Sequence, residues 1–146
     1  HQYYLAIDLN GYTLTGNGDH TIINHGKTGT RAPVITDSSK GKTGVVDNVT
    51  HGKAAIYNDV GAKITLSGGT YMRSAEASTG DSASGNNSFY VIKNFGTMMI
   101  KDGVTVKFSE NNNGLYSSLI GNGWQDAAAA EENKNGEPKP STGKQG

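Results

Sequence analysis

The chain has 146 residues, enough for one domain with a core of its own. Only 34% are hydrophobic while 21 are glycine, a balance that argues against a helical bundle and for short strands joined by turns. Thirteen basic and thirteen acidic side chains cancel, so neither a nucleic acid nor an anionic membrane is an expected partner, and the absence of cysteine excludes disulfides and thiolate metal sites.

In chain order, the first strand reads "YYLAIDL", with Leu5, Ile7 and Leu9 alternating against Ala6 and Asp8. It starts close behind His1, with no methionine or signal-like segment before it, and the chain is read as a processed or excised part of a longer one. Asn10–Gly11 marks a turn, and "YTLT" follows. Then come "HTIIN", "PVITD", "GVVDNV", "KAAIYN", "AKITLSG", "GTYMR", "SFYVIKN", "GTMMIKDG" and "VTVKFS", each separated from the next by glycine, asparagine or aspartate. No apolar run approaches the ~20 residues of a membrane-spanning helix, and membrane insertion is not expected.

Two elements recur. "IINHG", "AIYNDVG" and "VIKNFG" place Asn24, Asn58 and Asn94 behind an isoleucine or valine strand at nearly equal intervals. "LNGYTL", "LSGGTYM" and "IKDGVTV" repeat an apolar residue, a glycine turn and a threonine strand. One unit is therefore strand, Asn turn, strand, Gly turn, strand, which describes one coil of a parallel β-helix. Polar insertions such as 73–88, "RSAEASTGDSASGNNS", account for the long interval between units. Residues 125–146 change to an Ala/Glu run and a Pro/Gly/Lys-rich stretch, read as a flexible linker or long loop. The expected architecture is all-β: a right-handed parallel β-helix of four to five coils over 1–124, then a flexible tail.

In such a fold, equivalent residues stack about 4.8 Å apart. Asn24, Asn58 and Asn94 are therefore expected to form a structural ladder, each amide donating to the next, with Asn48 and Asn122 as weaker members of similar columns. If Ile56 points inward, alternation turns Tyr57 outward, with Lys93 and Ile23 in equivalent places. Tyr57, Lys93, Tyr71, Tyr116 and Trp124 are the candidate ligand contacts.

No catalytic residue, cofactor or metal ligand is assigned. Asp8, Asp37, Asp47, Asp59 and Asp102 sit at strand ends, where aspartate is common for backbone reasons, and no two form a motif. His20, His25 and His51 lie at turns without metal-ligand spacing. "GKTG" lacks a phosphate-binding loop, and "PSTG" lacks the leucine and apolar tail of a sorting signal.

"IDLNGYTLTG", "VITDSSKGKTG", "ITLSGGTYMRS" and "SSLIGNGW" resemble right-handed parallel β-helix, pectin-lyase-like domains of large Gram-positive bacterial surface and adhesin-like proteins. The resemblance implies an extracellular, cell-surface or secreted setting. It also implies a non-enzymatic adhesion or display role toward a host glycan or a host surface protein such as a mucin or immunoglobulin. Pectate lyases and polygalacturonases share the fold, so a carbohydrate-active fragment is the alternative. The Asn-Thr-Asp, Asp-Asp, Gly-His-Gly and Arg-Ile-Lys signature of polygalacturonases has no counterpart here, beyond "HG" at 25–26 and 51–52.

Overall fold

The β-branched runs of the sequence become short strands because each is interrupted after three or four residues by a turn former. The computed structural model describes residues 5–26, 32–50, 52–74, 90–108 and 119–123. Among them are twelve strands: β1 (Ala6–Asp8), β2 (Thr13–Gly16), β3 (Ile22–Asn24), β4 (Val34–Thr36), β5 (Val45–Asn48), β6 (Ile56–Asn58), β7 (Lys63–Leu66), β8 (Gly69–Met72), β9 (Ile92–Asn94), β10 (Thr97–Ile100), β11 (Val104–Val106) and β12 (Ile120–Asn122). No helix among the described residues is long and apolar enough to cross a membrane. The tail 125–146 lies outside the described residues.

Every third strand pairs, always in parallel. The first sheet is β1-β4-β7-β10, the second β2-β5-β8-β11 and the third β3-β6-β9-β12. Three strands thus make one coil, and four coils stack into a parallel β-helix solenoid.

Register turns one inward residue per strand into a column. Ile7, Ile35, Leu66 and Ile100 align in the first sheet, and Leu14, Val46, Tyr71 and Val106 in the second. In the third sheet, Ile22, Ile56, Ile92 and Ile120 align. The columns meet along the axis, where Ile35, Val46, Ile56, Leu66, Tyr71 and Ile92 are buried. Each such side chain contributes about 1.5–3 kcal/mol by leaving water.

The inward pattern of the first strand holds only in part. Ile7 is half-buried and Leu9 buried, but Leu5 is exposed, because β1 is the edge strand of its sheet and no coil lies below it. The Asn10–Gly11 turn has φ of 44° and 82°, a left-handed pair that suits these two residues.

The corner between the first two sheets is tied by Asp37. Its carboxylate is buried and accepts the N–H groups of Gly44 (2.7 Å), Gly11 (2.9 Å) and Ser39 (3.2 Å). Burial opposes its ionisation, but the Gly44 N–H, the Ser39 hydroxyl and the other N–H groups outweigh that and hold its pKa at about 2. Its stabilisation is present above the unfolded carboxylate range and is lost as pH falls through about 2.

Candidate ligand-binding cleft

Strands β3, β6, β9 and β12 end in Asn24, Asn58, Asn94 and Asn122, held in one register. Asn24 Nδ2 donates to Asn58 Oδ1 (2.8 Å), Asn58 Nδ2 to Asn94 Oδ1 (2.7 Å), and Asn94 Nδ2 to Asn122 Oδ1 (2.6 Å). The chain of amides runs one way through all four coils and fixes the third corner. Asn48 is not part of it: it lies in β5, where its Nδ2 donates to the Asp19 carbonyl (2.7 Å) and Thr21 Oγ1 (2.9 Å).

With Ile and Asn facing in, the residue between them faces out. Ile23, Tyr57, Lys93 and Gly121 form that outer column. The ring of His20 stacks on Tyr57 with centroids 4.7 Å apart and 28° between planes. Phe95 also meets Tyr57, with centroids 5.5 Å apart and 55° between planes. The three rings form a row along the solenoid.

His20 is locked by a backbone bond. The Ala54 N–H donates to its Nδ1 (2.7 Å), which places the ring proton on Nε2. Burial first, then the Lys93 and Lys53 charges, push its pKa down to about 4, so the imidazole is neutral at physiological pH. The unfolded chain binds this proton more readily, so stability is complete above about pH 6.5 and falls as pH drops toward 4. Urea midpoints between pH 7.5 and 4 are expected to show a loss of about 1–2 kcal/mol after allowance for the half-exposed ring. His20→Phe is expected to flatten that window, and an NMR titration of His20 to centre near 4.

Lys93 Nζ donates to the Gly52 carbonyl (3.0 Å), leaving two ammonium hydrogens available for other acceptors. Burial, with the charges of Arg73 and Lys53, lowers its pKa. Lys53 is paired with Asp19 at 3.0 Å.

Above Lys93 the outer column reaches Gly121, and the missing side chain opens a cleft of about 380 Å³. Tyr90 and Phe95 line it together with Lys93, Ile120 and Asn122. A Cβ at Gly121 would lie 2.9 Å from the Tyr90 ring, and one at Gly123 would lie 3.7 Å from Phe95. The exposed Asn122 amide adds a free donor, since its Oδ1 is engaged by Asn94 while its Nδ2 has no hydrogen-bond partner among the described residues.

Tyr57 and Lys93 therefore share the outer face with this cleft. Tyr71 does not. It is fully buried, donates its hydroxyl to the Gly68 carbonyl (3.1 Å), and has its pKa raised by that burial. The reason is register: β8 starts with the inward Gly69, so alternation turns Tyr71 into the core beside Val46 and Val106. Tyr116 and Trp124 lie outside the described residues. Tyr90, Phe95, His20 and Gly121 are the additions. Phe95 directly follows a ladder asparagine, as His25 and Asp59 do, which was the available signal for its place at the corner.

Four of the five candidate acids hold structural hydrogen bonds, Asp37 at its corner and three more. Asp47 accepts from the Ser74 N–H (2.8 Å) and hydroxyl, Asp8 from the Ser38 N–H (2.9 Å) and hydroxyl (2.6 Å), and Asp59 faces His25 at 3.0 Å. Among the described residues no group of three His, Cys, Asp or Glu is placed to hold a metal ion. No protein-family model, curated protein or solved structure matches the chain.

Proposed function

We propose that the chain is a non-enzymatic adhesion module that binds a glycan in the cleft between Tyr90 and Phe95. The carrying observation is the composition of that cleft: two aromatic walls, an ammonium group and an open amide, grouped around a glycine that leaves room. A pyranose presents C–H groups on its faces and hydroxyls at its rim, so aromatic rings cover the first while Lys93 and Asn122 bond the second. The described residues of the cleft lining include no carboxylate, so they supply no acid–base pair for glycoside hydrolysis. The aromatic row His20–Tyr57–Phe95 continues the same face and lengthens the surface that a chain of sugars would cross.

On this reading, and in line with the sequence resemblance to pectin-lyase-like domains of Gram-positive adhesin-like proteins, such a module would work outside the cell, on a bacterial surface or secreted, facing host glycans or glycosylated proteins such as mucins. A glycan array identifies the ligand, and calorimetry with Tyr90→Ala and Phe95→Ala tests the site. Each substitution is expected to weaken binding at least tenfold, about 1.4 kcal/mol, while Tyr71→Phe leaves it unchanged. Silence across the array, or full affinity in both alanine variants, sinks the proposal.

A further inference from the structure

His20 sits where a side chain can swing while its backbone stays put. The residues on both sides of it are tied to the second coil. The Asp19 carbonyl receives Asn48 Nδ2 (2.7 Å), the Thr21 N–H donates to the Ala54 carbonyl (3.1 Å), and Thr21 Oγ1 donates to the Asp47 carbonyl (2.6 Å). The His20 N–H donates to Asp19 Oδ1 (2.7 Å). The ring itself is held by the stack on Tyr57 and by the Ala54 N–H on its Nδ1.

That hydrogen bond admits one protonation state. Nδ1 accepts the Ala54 N–H through its lone pair, and an imidazolium has no lone pair to offer. A protonated ring in this place would set one N–H against another. Most of the charges around it act in the same sense. Lys53, in the segment entering β6, and Lys93, in β9, both disfavour a cation there, while Asp19 on the ring's own loop favours one. Tyr57 of β6 stays neutral, since burial and then Asp59 raise its pKa above the ordinary value.

We infer that His20 is an acid-released latch: on protonation its ring leaves Tyr57 and the Ala54 N–H and swings toward Asp19, while the coils keep their pairing. Asp19 is exposed and adjacent, and the His20 N–H followed by Lys53 holds its pKa below the ordinary value, so it is ionised when the ring charges. The closed ring has a pKa of about 4 against 6.5 for a free one. The latch is therefore shut above pH 6.5, and its open fraction grows as pH falls toward 4. For the proposed glycan surface the consequence is regulatory, because the row of three rings is complete only while the imidazole is neutral. The contacts that form the latch involve none of the cleft-lining residues, so it stands or falls separately from that reading.

Amide hydrogen exchange read by NMR at about pH 7 and about pH 4.5, expressed as protection factors, tests this. Adjacent residues serve as probe and reference: the Ala54 N–H goes to the His20 ring, the Ala55 N–H to the Val91 carbonyl (2.9 Å). Protection at Ala54 is expected to fall about tenfold on acidification while Ala55 keeps its own. The Tyr57 ring protons are expected to shift over the same range as the stacked imidazole withdraws. His20→Asn offers an amide oxygen near the Nδ1 position that does not titrate, and is expected to remove the pH dependence at Ala54. Ala55 protection in that variant checks that its coils are intact. Equal losses at Ala54 and Ala55 mean that the coil opens as a whole. That result, a pH-independent Ala54 in the wild type, or the same fall in His20→Asn overturns the inference.

Discussion

Asn58→Asp is expected to be the most damaging single isosteric change at neutral pH and to lose most of its effect below about pH 4. Asn58 is fully buried and joins both halves of the ladder. The new carboxylate keeps the acceptor for Asn24, but its second oxygen faces Asn94 Oδ1 and the carbonyls of Ala62 and Thr97, which now receive Asn58 Nδ2 at 2.7, 3.4 and 3.3 Å. An ionised group among acceptors, away from water, costs about 3–5 kcal/mol. Such a site raises the pKa of the introduced carboxyl above its ordinary value. The penalty is therefore full above the raised folded value and disappears below the unfolded value of about 3.9, where both states are protonated. The protonated acid can also donate one hydrogen to Asn94 Oδ1. Urea midpoints for variant and wild type, taken together at pH 7 and pH 3.5, should converge on acidification. Asn58→Leu should show a loss that does not depend on pH.

The second large effect is expected at Gly96. This residue follows Phe95 at the corner leading into β10, and its N–H donates to Asn94 Oδ1 (3.3 Å). A Cβ there would collide with the Ala62 carbonyl, lie 2.5 Å from the Asp59 carbonyl, and lie 2.9 Å from Asn58 Nδ2. None of these can give way. The Asp59 carbonyl receives the Ala62 N–H (3.0 Å), and the Ala62 carbonyl receives the Thr97 N–H (2.8 Å). Gly96→Ala is therefore expected to cost about 3 kcal/mol and to misalign the ladder amides. Gly103→Ala is the control. Nothing lies within 4 Å of its added methyl, and only the backbone strain of φ 86° remains, about 1 kcal/mol. Chemical denaturation of the pair separates steric from conformational cost.

The coil was legible because its signals are local and repeated. An isoleucine, one spacer and an asparagine gave the register of the third sheet, and hence the outward direction of Tyr57 and Lys93. The placement of Tyr71 could have been read from the same repeats. Aligning Thr13, Thr70 and Thr105 sets Tyr71 beside Leu14 and Val106, both inward, but aromatic character alone suggested a surface role. The cleft was hidden for a different reason. Tyr90 and Gly121 are brought together across coils by intervals that differ in length, so no fixed spacing announces their contact. The His20 stack depends on a hydrogen bond from Ala54 that only the folded backbone supplies.

The interval between the second and third sheets spans 17–21 in the first coil, 49–55 in the second, 73–91 in the third and 107–119 in the fourth. Strand pairing and core columns carry on across this variation. Each doubling of a loop's length costs only about 0.6 kcal/mol in closure entropy. That corner is thus a natural grafting position: a lineage, or a designer, can rewrite it freely while leaving the scaffold's hydrophobic packing alone. Tyr90 stands at the end of its longest segment, so such rewriting would retune recognition without renegotiating the fold.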